Sequence, residues 1–271
     1  MGIEHLLSIH KYMRNIDSQV EVSGSLLYVR LIENHENRPT IVFLHDSLGC
    51  VALWRDFPCK LAEATSCNLL VYDRKGYGRS EPMQSVHRSN RYLEDEADTL
   101  NTLLLQLNIT KAILFGHSDG GSIALIAAAK YPSGIEAVIS EAAHIFVEQE
   151  TIDGLKAAVE SYRETILKSR LAKYHGEKTD AVFHAWTDTW LSEEYRTWNI
   201  EHFLPNIVCP TLIIQGEKDE YGTMKQVQGI AGQVQGRAET FILPGLGHTP
   251  HKEAPLEIIR KAKQFIETLL A

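Results

Sequence analysis

The sequence predicts a doubly wound α/β fold, a mostly parallel sheet covered by helices on both faces, with a helical insertion in its second half. Three observations predict it. Short, nearly continuous apolar runs recur at residues 40–44, 68–72, 111–115, 137–140, 211–214 and 240–243, as expected of strands buried on both faces. Helical stretches lie between most of these runs, as parallel strands require. One connection, from about residue 145 to 206, is far longer than a crossover helix needs.

Taken in order, residues 19–33 alternate apolar and polar around Ser23-Gly24-Ser25, which predicts an antiparallel hairpin opening the sheet. After Pro39 the buried runs begin. Helices are expected over 52–65, 91–107, 120–130, 224–233 and 256–270. Within the long connection, Leu155, Val159, Tyr162, Ile166 and Leu167 fall at helical spacing, and Phe183, Trp186, Trp190, Tyr195, Trp198 and Phe203 follow. A helical cap over 145–206 is expected, set on a core of 1–144 and 207–271. Three of the four tryptophans lie in it, so most should pack the cap onto the core while one or two line a substrate cavity.

The 271 residues suffice for one large α/β domain or a domain with an insertion. A net charge of −8 gives no electrostatic footprint for nucleic acid, and no basic run stands out for an anionic membrane. Neither partner is expected. Cys50, Cys59, Cys67 and Cys209 form no C-x-x-C pair and have no histidine cluster at ligand spacing, so neither zinc nor a cofactor is expected. The start, Met1 to Leu6, lacks a cationic segment followed by an apolar one, and Leu6 stands where a myristoylation signal wants Ser or Thr. No 18 apolar residues run together, and a reduced, cytoplasmic protein is expected.

The chemistry is written in three turns. Gly116-His117-Ser118-Asp119-Gly120 sits between an apolar run and an Ala-rich stretch and reads as strand, sharp turn, helix. The glycines leave room where backbone packs closely, the serine is exposed at the apex, and the first helix amides point beside its hydroxyl. A serine hydroxyl is a weak nucleophile, so it needs a base, and the base needs an acid to orient it. Asp219 follows the run 211–214, with Glu217 and Glu220 as rivals, and His248 follows the run 240–243. In a parallel sheet the C-terminal strand ends gather on one edge, so Ser118, Asp219 and His248 can converge. His251 reads as a surface residue. His45 and His117 read as loop supports, and the side chain of Asp119 as a local hydrogen-bonding group.

These motifs resemble those of the α/β-hydrolase superfamily, specifically its capped serine hydrolases: small bacterial esterases, carbon-carbon bond hydrolases and pimeloyl-carrier methyl esterases. His45-Asp46-Ser47-Leu48-Gly49 resembles the family's His-Gly oxyanion turn, and Asp73 to Ser80 its D-x-x-G-x-G-x-S loop, with Asp73 and Arg74 tying loop ends together. The resemblance spans about residues 20–144 and 207–265. It implies an α/β-hydrolase fold with Ser118 as nucleophile, His248 as general base and then acid, and Asp219 orienting His248. Glu141, near the end of the strand before the cap, is a further rival, since some members carry their acid there. The amides of Ser47 and Asp119 should form the oxyanion hole. Asp46 replaces the glycine of the His-Gly pair, which often takes a backbone conformation costly for other residues, so the placing of the Ser47 amide turns on it. Trp186, Trp190 and His144 are the candidate substrate contacts.

The implied reaction is ester hydrolysis through an acyl-enzyme, with an apolar or aromatic small molecule as substrate and no cofactor or metal. Lactones, thioesters and carbon-carbon bonds flanked by ketones suit the same chemistry. Halides and epoxides do not, because the resembling families that take them carry Asp at the nucleophile position. Arg163, Lys168, Arg170 and Lys173 make a basic stretch in the cap that reads first as a solvated helix face, and alternatively as a docking surface for an acidic acyl carrier protein. A ligand receptor on the same fold is the non-enzymatic alternative.

Overall fold

Strands Arg14–Val22 (β1) and Ser25–Glu33 (β2) pair along their whole length as an antiparallel hairpin, turned by Ser23 and Gly24 at positive φ. The computed structural model describes residues 14–270, so the reading of Met1 to Leu6 falls outside it. Thr40–Leu44 (β3), Asn68–Tyr72 (β4), Ala112–His117 (β5), Ile135–Glu141 (β6), Thr211–Gly216 (β7) and Ala238–Leu243 (β8) complete one sheet of order β1-β2-β4-β3-β5-β6-β7-β8. The β1–β2 and β2–β4 pairings are antiparallel, and every later one is parallel.

Alternation along each strand sorts the core into two layers. Val42, Leu44, Leu114 and Val138 face the helices Tyr92–Gln106 (α2) and Asp119–Lys130 (α3). Ile41, Phe43, Ile113 and Phe115 face Phe57–Thr65 (α1) and the C-terminal helix Pro255–Leu270 (α9). Between β6 and β7 lie Gln149–Glu164 (α4), Leu167–His175 (α5) and Thr179–Leu191 (α6), followed by short 3-10 turns. Met224–Gln233 (α7) and the single turn Pro250–Glu253 (α8) precede α9.

Several elements differ from the sequence expectation. The hairpin begins at Arg14 rather than 19, because its outer strand carries polar residues on an exposed edge. The helix expected over 52–65 is broken: a 3-10 turn Val51–Trp54 is separated from α1 by Arg55 at φ 55°, and Pro58 lies in the first turn of the new helix. Strands β5, β6 and β7 run past their apolar cores to His117, Glu141 and Gly216, so their last residues include polar groups that an apolar pattern omits.

The inserted helices are fastened to the loops and helix beside the sheet by buried and part-buried polar contacts. Lys178 Nζ donates to the carbonyls of Tyr77, Gly78 and Ser80 at 3.2, 2.7 and 2.5 Å. His175 Nε2–H donates to Leu48 O at 3.0 Å while Nδ1 accepts the Gly78 amide at 3.1 Å. Trp190 Nε1–H donates to the Tyr92 hydroxyl at 2.8 Å. Tyr162 and Phe183 stack at 3.7 Å between α4 and α6.

Candidate active site

The turn from β5 into α3 leaves no room for side chains beside Ser118. A Cβ on Gly116 would lie 2.1 Å from Gly120 O, and one on Gly120 would lie 2.0 Å from Leu44 O. Ser118 itself has φ 54° and ψ −119°, an unfavourable backbone for a residue with a Cβ, and this strain aims its hydroxyl off the sheet edge.

The other two turns arrive at the same place. His248 Nε2 lies 3.0 Å from Ser118 Oγ, and His248 Nδ1 lies 2.8 and 2.9 Å from the two oxygens of Asp219. A carboxylate only accepts, so Nδ1 carries the hydrogen and Nε2 is free to accept from the serine. Asp219 also accepts the Tyr221 and Gly222 amides on Oδ1, at 2.8 and 3.3 Å, and Gln215 Nε2 on Oδ2 at 2.6 Å. Burial works against its charge, but the His248 imidazole and these hydrogen bonds hold its pKa below the ordinary carboxylate value. Burial likewise disfavours the His248 cation, yet Asp219 outweighs it and raises the imidazole pKa.

The turn His45 to Gly49 is built around one carbonyl. Asp46 O accepts from the Gly49 amide (3.1 Å), His45 Nδ1–H (2.8 Å) and Arg74 Nη2 (2.9 Å). Asp46 does not take a positive φ, so the expected backbone cost of replacing glycine there does not arise. Its carboxylate lies 3.8 Å from His117 Nδ1. Burial would raise its pKa, but His117 and the charge of Lys252 hold it well below the ordinary value. Among the described residues, the amides of Ser47 and Asp119 donate to no protein acceptor. The buried Asp119 carboxylate accepts the Tyr92 hydroxyl at 3.0 Å and lies 3.5 Å from Arg74 Nη2.

The rival groups are occupied elsewhere. Glu217 accepts the Gly245 amide (3.0 Å), and Glu220 accepts the His248 amide (3.2 Å). Glu141, fully buried, accepts both the backbone amide and the imidazole Nδ1–H of His251, at 2.7 and 2.6 Å. His251 is therefore not a surface residue: it is only 3% exposed, because the single turn of α8 points it inward under the rings of Trp54 and Phe57. A buried carboxylate at the end of β6 needs a partner, and that need was the signal for it. His45 and His117 both hold loops. His45 Nε2 accepts the Arg74 amide at 3.1 Å, and His117 Nε2 lies 2.8 Å from His248 O. Asp73 ties its loop by accepting the amides of Val51 and Arg79.

His117, Glu141 and His251 offer ligand atoms within 4.8 Å of one another. The 2.6 Å separation of Glu141 Oε2 from His251 Nδ1 is a hydrogen bond. Two ligands of one tetrahedral ion, each bound at about 2.1 Å, would stand about 3.4 Å apart. The cluster fits an acid–imidazole pair better than a metal.

Ser118 and His248 open into a cleft of about 200 Å³, which Ser47 and Asp119 also line. Trp186, Trp190 and His144 form part of its wall, whereas Trp198 packs against Tyr195 and Trp190. Burial lowers the His144 pKa, and its Nε2 lies 3.1 Å from Tyr221 O. Two contributors escaped the sequence reading: Gln215, which steadies Asp219, and Tyr221, whose ring lies 4.7 Å from that of His248. Gln215 was visible as a polar residue closing an apolar run. Tyr221 carried no such signal.

A family model described as alpha/beta hydrolase fold matches residues 39–195. The chain belongs to the α/β hydrolase fold family. This hydrolase is 30% identical over 258 residues to the mouse (Mus musculus) protein serine hydrolase BPHL, covering 92% of the present chain and 86% of that one. It is 24% identical over 263 residues to the 2-hydroxy-6-oxononadienedioate/2-hydroxy-6-oxononatrienedioate hydrolase of Escherichia coli K12, covering 84% and 87%. Among solved structures, the enol-lactonase of Burkholderia xenovorans LB400 shares the fold with a TM-score of 0.72 at 20% identity, covering 92% of this chain and 99% of that one. Among the described residues of the hydrolase, no helix is long and apolar enough to cross a membrane.

Proposed function

We propose that this hydrolase is a serine hydrolase that cleaves a carboxylic ester of a small apolar or aromatic molecule through an acyl-enzyme. The carrying observation is the unbroken hydrogen-bond chain from Ser118 Oγ through His248 to Asp219. His248 Nε2 takes the hydroxyl proton as Ser118 Oγ bonds to the substrate carbonyl carbon, and Asp219 stabilises the resulting imidazolium. The carbonyl oxygen becomes an oxyanion facing the unpaired amides of Ser47 and Asp119. As the intermediate collapses, the C–O bond to the alcohol breaks and the leaving oxygen takes the proton from His248. A water molecule then gives a proton to His248 and attacks the acyl carbon, and Ser118 leaves with that proton.

In this reading residues 145–206 act as a cap over a core of 1–144 and 207–271, with Trp186, Trp190 and His144 as substrate contacts. The size and charge of the cleft support the substrate class. A cavity of about 150 Å³ holds one benzene ring, so about 200 Å³ suits a single ring or short chain. Asp46, Asp119 and Glu220 line the cleft with no lysine or arginine in its wall; Arg74 lies behind Asp119 at 3.5 Å, which leaves Asp46 and Glu220 to set the balance. That balance favours neutral or positively charged esters. It disfavours dianions such as the dioate named for the Escherichia coli relative, while a neutral lactone remains compatible.

A second reading has an acidic carrier protein deliver the acyl chain. It draws on Arg163, Arg170 and Lys173, all exposed near Ile166, itself 60% exposed, whereas Lys168 is paired with Asp180. A cytoplasmic location accords with four cysteines that are all free thiols. The test of the main reading is labelling with a fluorophosphonate probe. Wild type should label at Ser118, and Ser118→Ala should not label and should lose about six orders of magnitude in ester turnover. An unlabelled wild type would leave a ligand receptor on this fold.

A further inference from the structure

Resting on the serine-hydrolase reading, we propose that His117 is a positioning residue for the general base, fixing the backbone of His248 at a set distance from the nucleophile. His117 ends β5 and is fully buried, and the next residue along the chain is Ser118. Its Nε2 lies 2.8 Å from the carbonyl of His248. A carbonyl only accepts, so Nε2 carries the hydrogen and donates it. One dipeptide therefore presents the attacking hydroxyl and holds the main chain of the group that must deprotonate it.

The rest of the base's loop is held from the solvent side: Glu217 accepts the Gly245 amide, the Lys218 amide donates to Leu246 O, and Glu253 accepts the amides of Gly247 and Thr249. Gly245 and Gly247 precede His248, with Gly245 at φ 75°, and the His248 amide is held by Glu220, whose side chain reaches it from a largely exposed turn. The anchors on the core side are His117 at residue 248 and the buried Glu141 three residues on, at His251. They come from the adjacent ends of β5 and β6, where His117 and Glu141 stand opposite each other in register. The His117 ring is also fixed in place, 4.8 Å from the His251 ring and 5.1 Å from the His248 ring. Packing thus sets the direction of its N–H.

The positional demand is steep, since a displacement of about 1 Å in a reacting group can cost about a hundredfold in rate. Removing the His117 donor would leave the His248 carbonyl unpaired and let the loop shift, lengthening the 3.0 Å contact to Ser118. His117 touches neither substrate nor reacting atoms in this scheme.

The test compares His117→Leu, which fills the space without a donor, with His117→Gln, whose side-chain amide can offer an N–H near the same point. Turnover of p-nitrophenyl butyrate is measured together with the low-field proton resonance of the His248–Asp219 hydrogen bond. In His117→Leu, kcat should fall by about 10- to 100-fold with KM little changed, and the low-field resonance should broaden or move. His117→Gln should recover most of both. Leu and Gln variants with equal kcat, or an unaltered low-field resonance in His117→Leu, would overturn the proposal. If the Leu variant does not fold, a Gln variant that folds but has lost a hundredfold in kcat would overturn it equally. Fluorophosphonate labelling of wild type separates the two claims: labelled wild type with indifferent His117 variants defeats the positioning role alone, whereas unlabelled wild type defeats the serine-hydrolase reading.

Discussion

At the scale of single residues, the charge balance at His248 decides how the proposed chemistry depends on pH. A general base must be neutral to accept the Ser118 proton, and Asp219 raises the His248 pKa despite burial. The activity kcat/KM should therefore rise with pH through a limb lying above the ordinary imidazole value, and reach its plateau on the alkaline side. Asp219→Asn removes the charge that raises the pKa, so the limb should move to lower pH while the plateau falls by about four orders of magnitude. A pH profile of the Asn variant whose limb stays in place would show that Asp219 does not set it. Asp46 is the other residue at which local chemistry matters. Its backbone avoids the left-handed region, so an aspartate is accommodated where the resembling turn has glycine.

At the scale of elements, the strand–turn–helix of β5, Ser118 and α3 is the rigid piece on which the site depends. Its glycines matter through close approach rather than through φ, since neither Gly116 nor Gly120 takes a positive value. Gly120→Ala would press a methyl group into the backbone carbonyl of Leu44 on β3, which no side-chain rotation can relieve. The variant should lose about 1–3 kcal/mol of stability or more, visible as a lowered Tm in thermal unfolding. Gly134→Ala is the control, because a Cβ there meets nothing within 4 Å and the φ is not left-handed. Equal Tm values for the two would contradict the packing argument. The same element logic explains Glu141 and His251, which join the end of β6 to the turn after His248 inside the protein.

At the scale of the whole molecule, the cleft belongs to two parts of the chain at once. The sheet edge supplies Ser118, His248 and the turn Asp46 to Leu48, and the inserted helices supply Leu155, Trp186 and Trp190. Fastenings such as Lys178 to the 77–80 carbonyls and Trp190 to Tyr92 keep the two parts in register. The resulting cleft is small and has carboxylates but no lysine or arginine in its wall, so shape and charge should select together. p-Nitrophenyl butyrate should be turned over faster than the decanoate ester. It should also exceed the p-nitrophenyl ester of hemisuccinate, similar in size but carrying a carboxylate, by at least about tenfold in kcat/KM, equivalent to about 1.4 kcal/mol. Equal rates for butyrate and hemisuccinate would remove charge from the account of selectivity.

The sequence by itself determined the fold class and the three turns that carry Ser118, Asp219 and His248. Both are written in local patterns: apolar runs with period and length, and glycines flanking a serine. It also placed Trp186 and Trp190 within the aromatic stretch that meets the cleft. Only the tertiary structure decided what depends on contacts between distant segments. His251 reads as a surface residue until the end of β6 is seen beneath it, and His117 reads as a loop support until the carbonyl it holds proves to be that of His248. The size of the cleft and its charge balance are likewise fixed by how the inserted helices pack onto the sheet edge, because a cavity is a relation between surfaces and no stretch of sequence contains it.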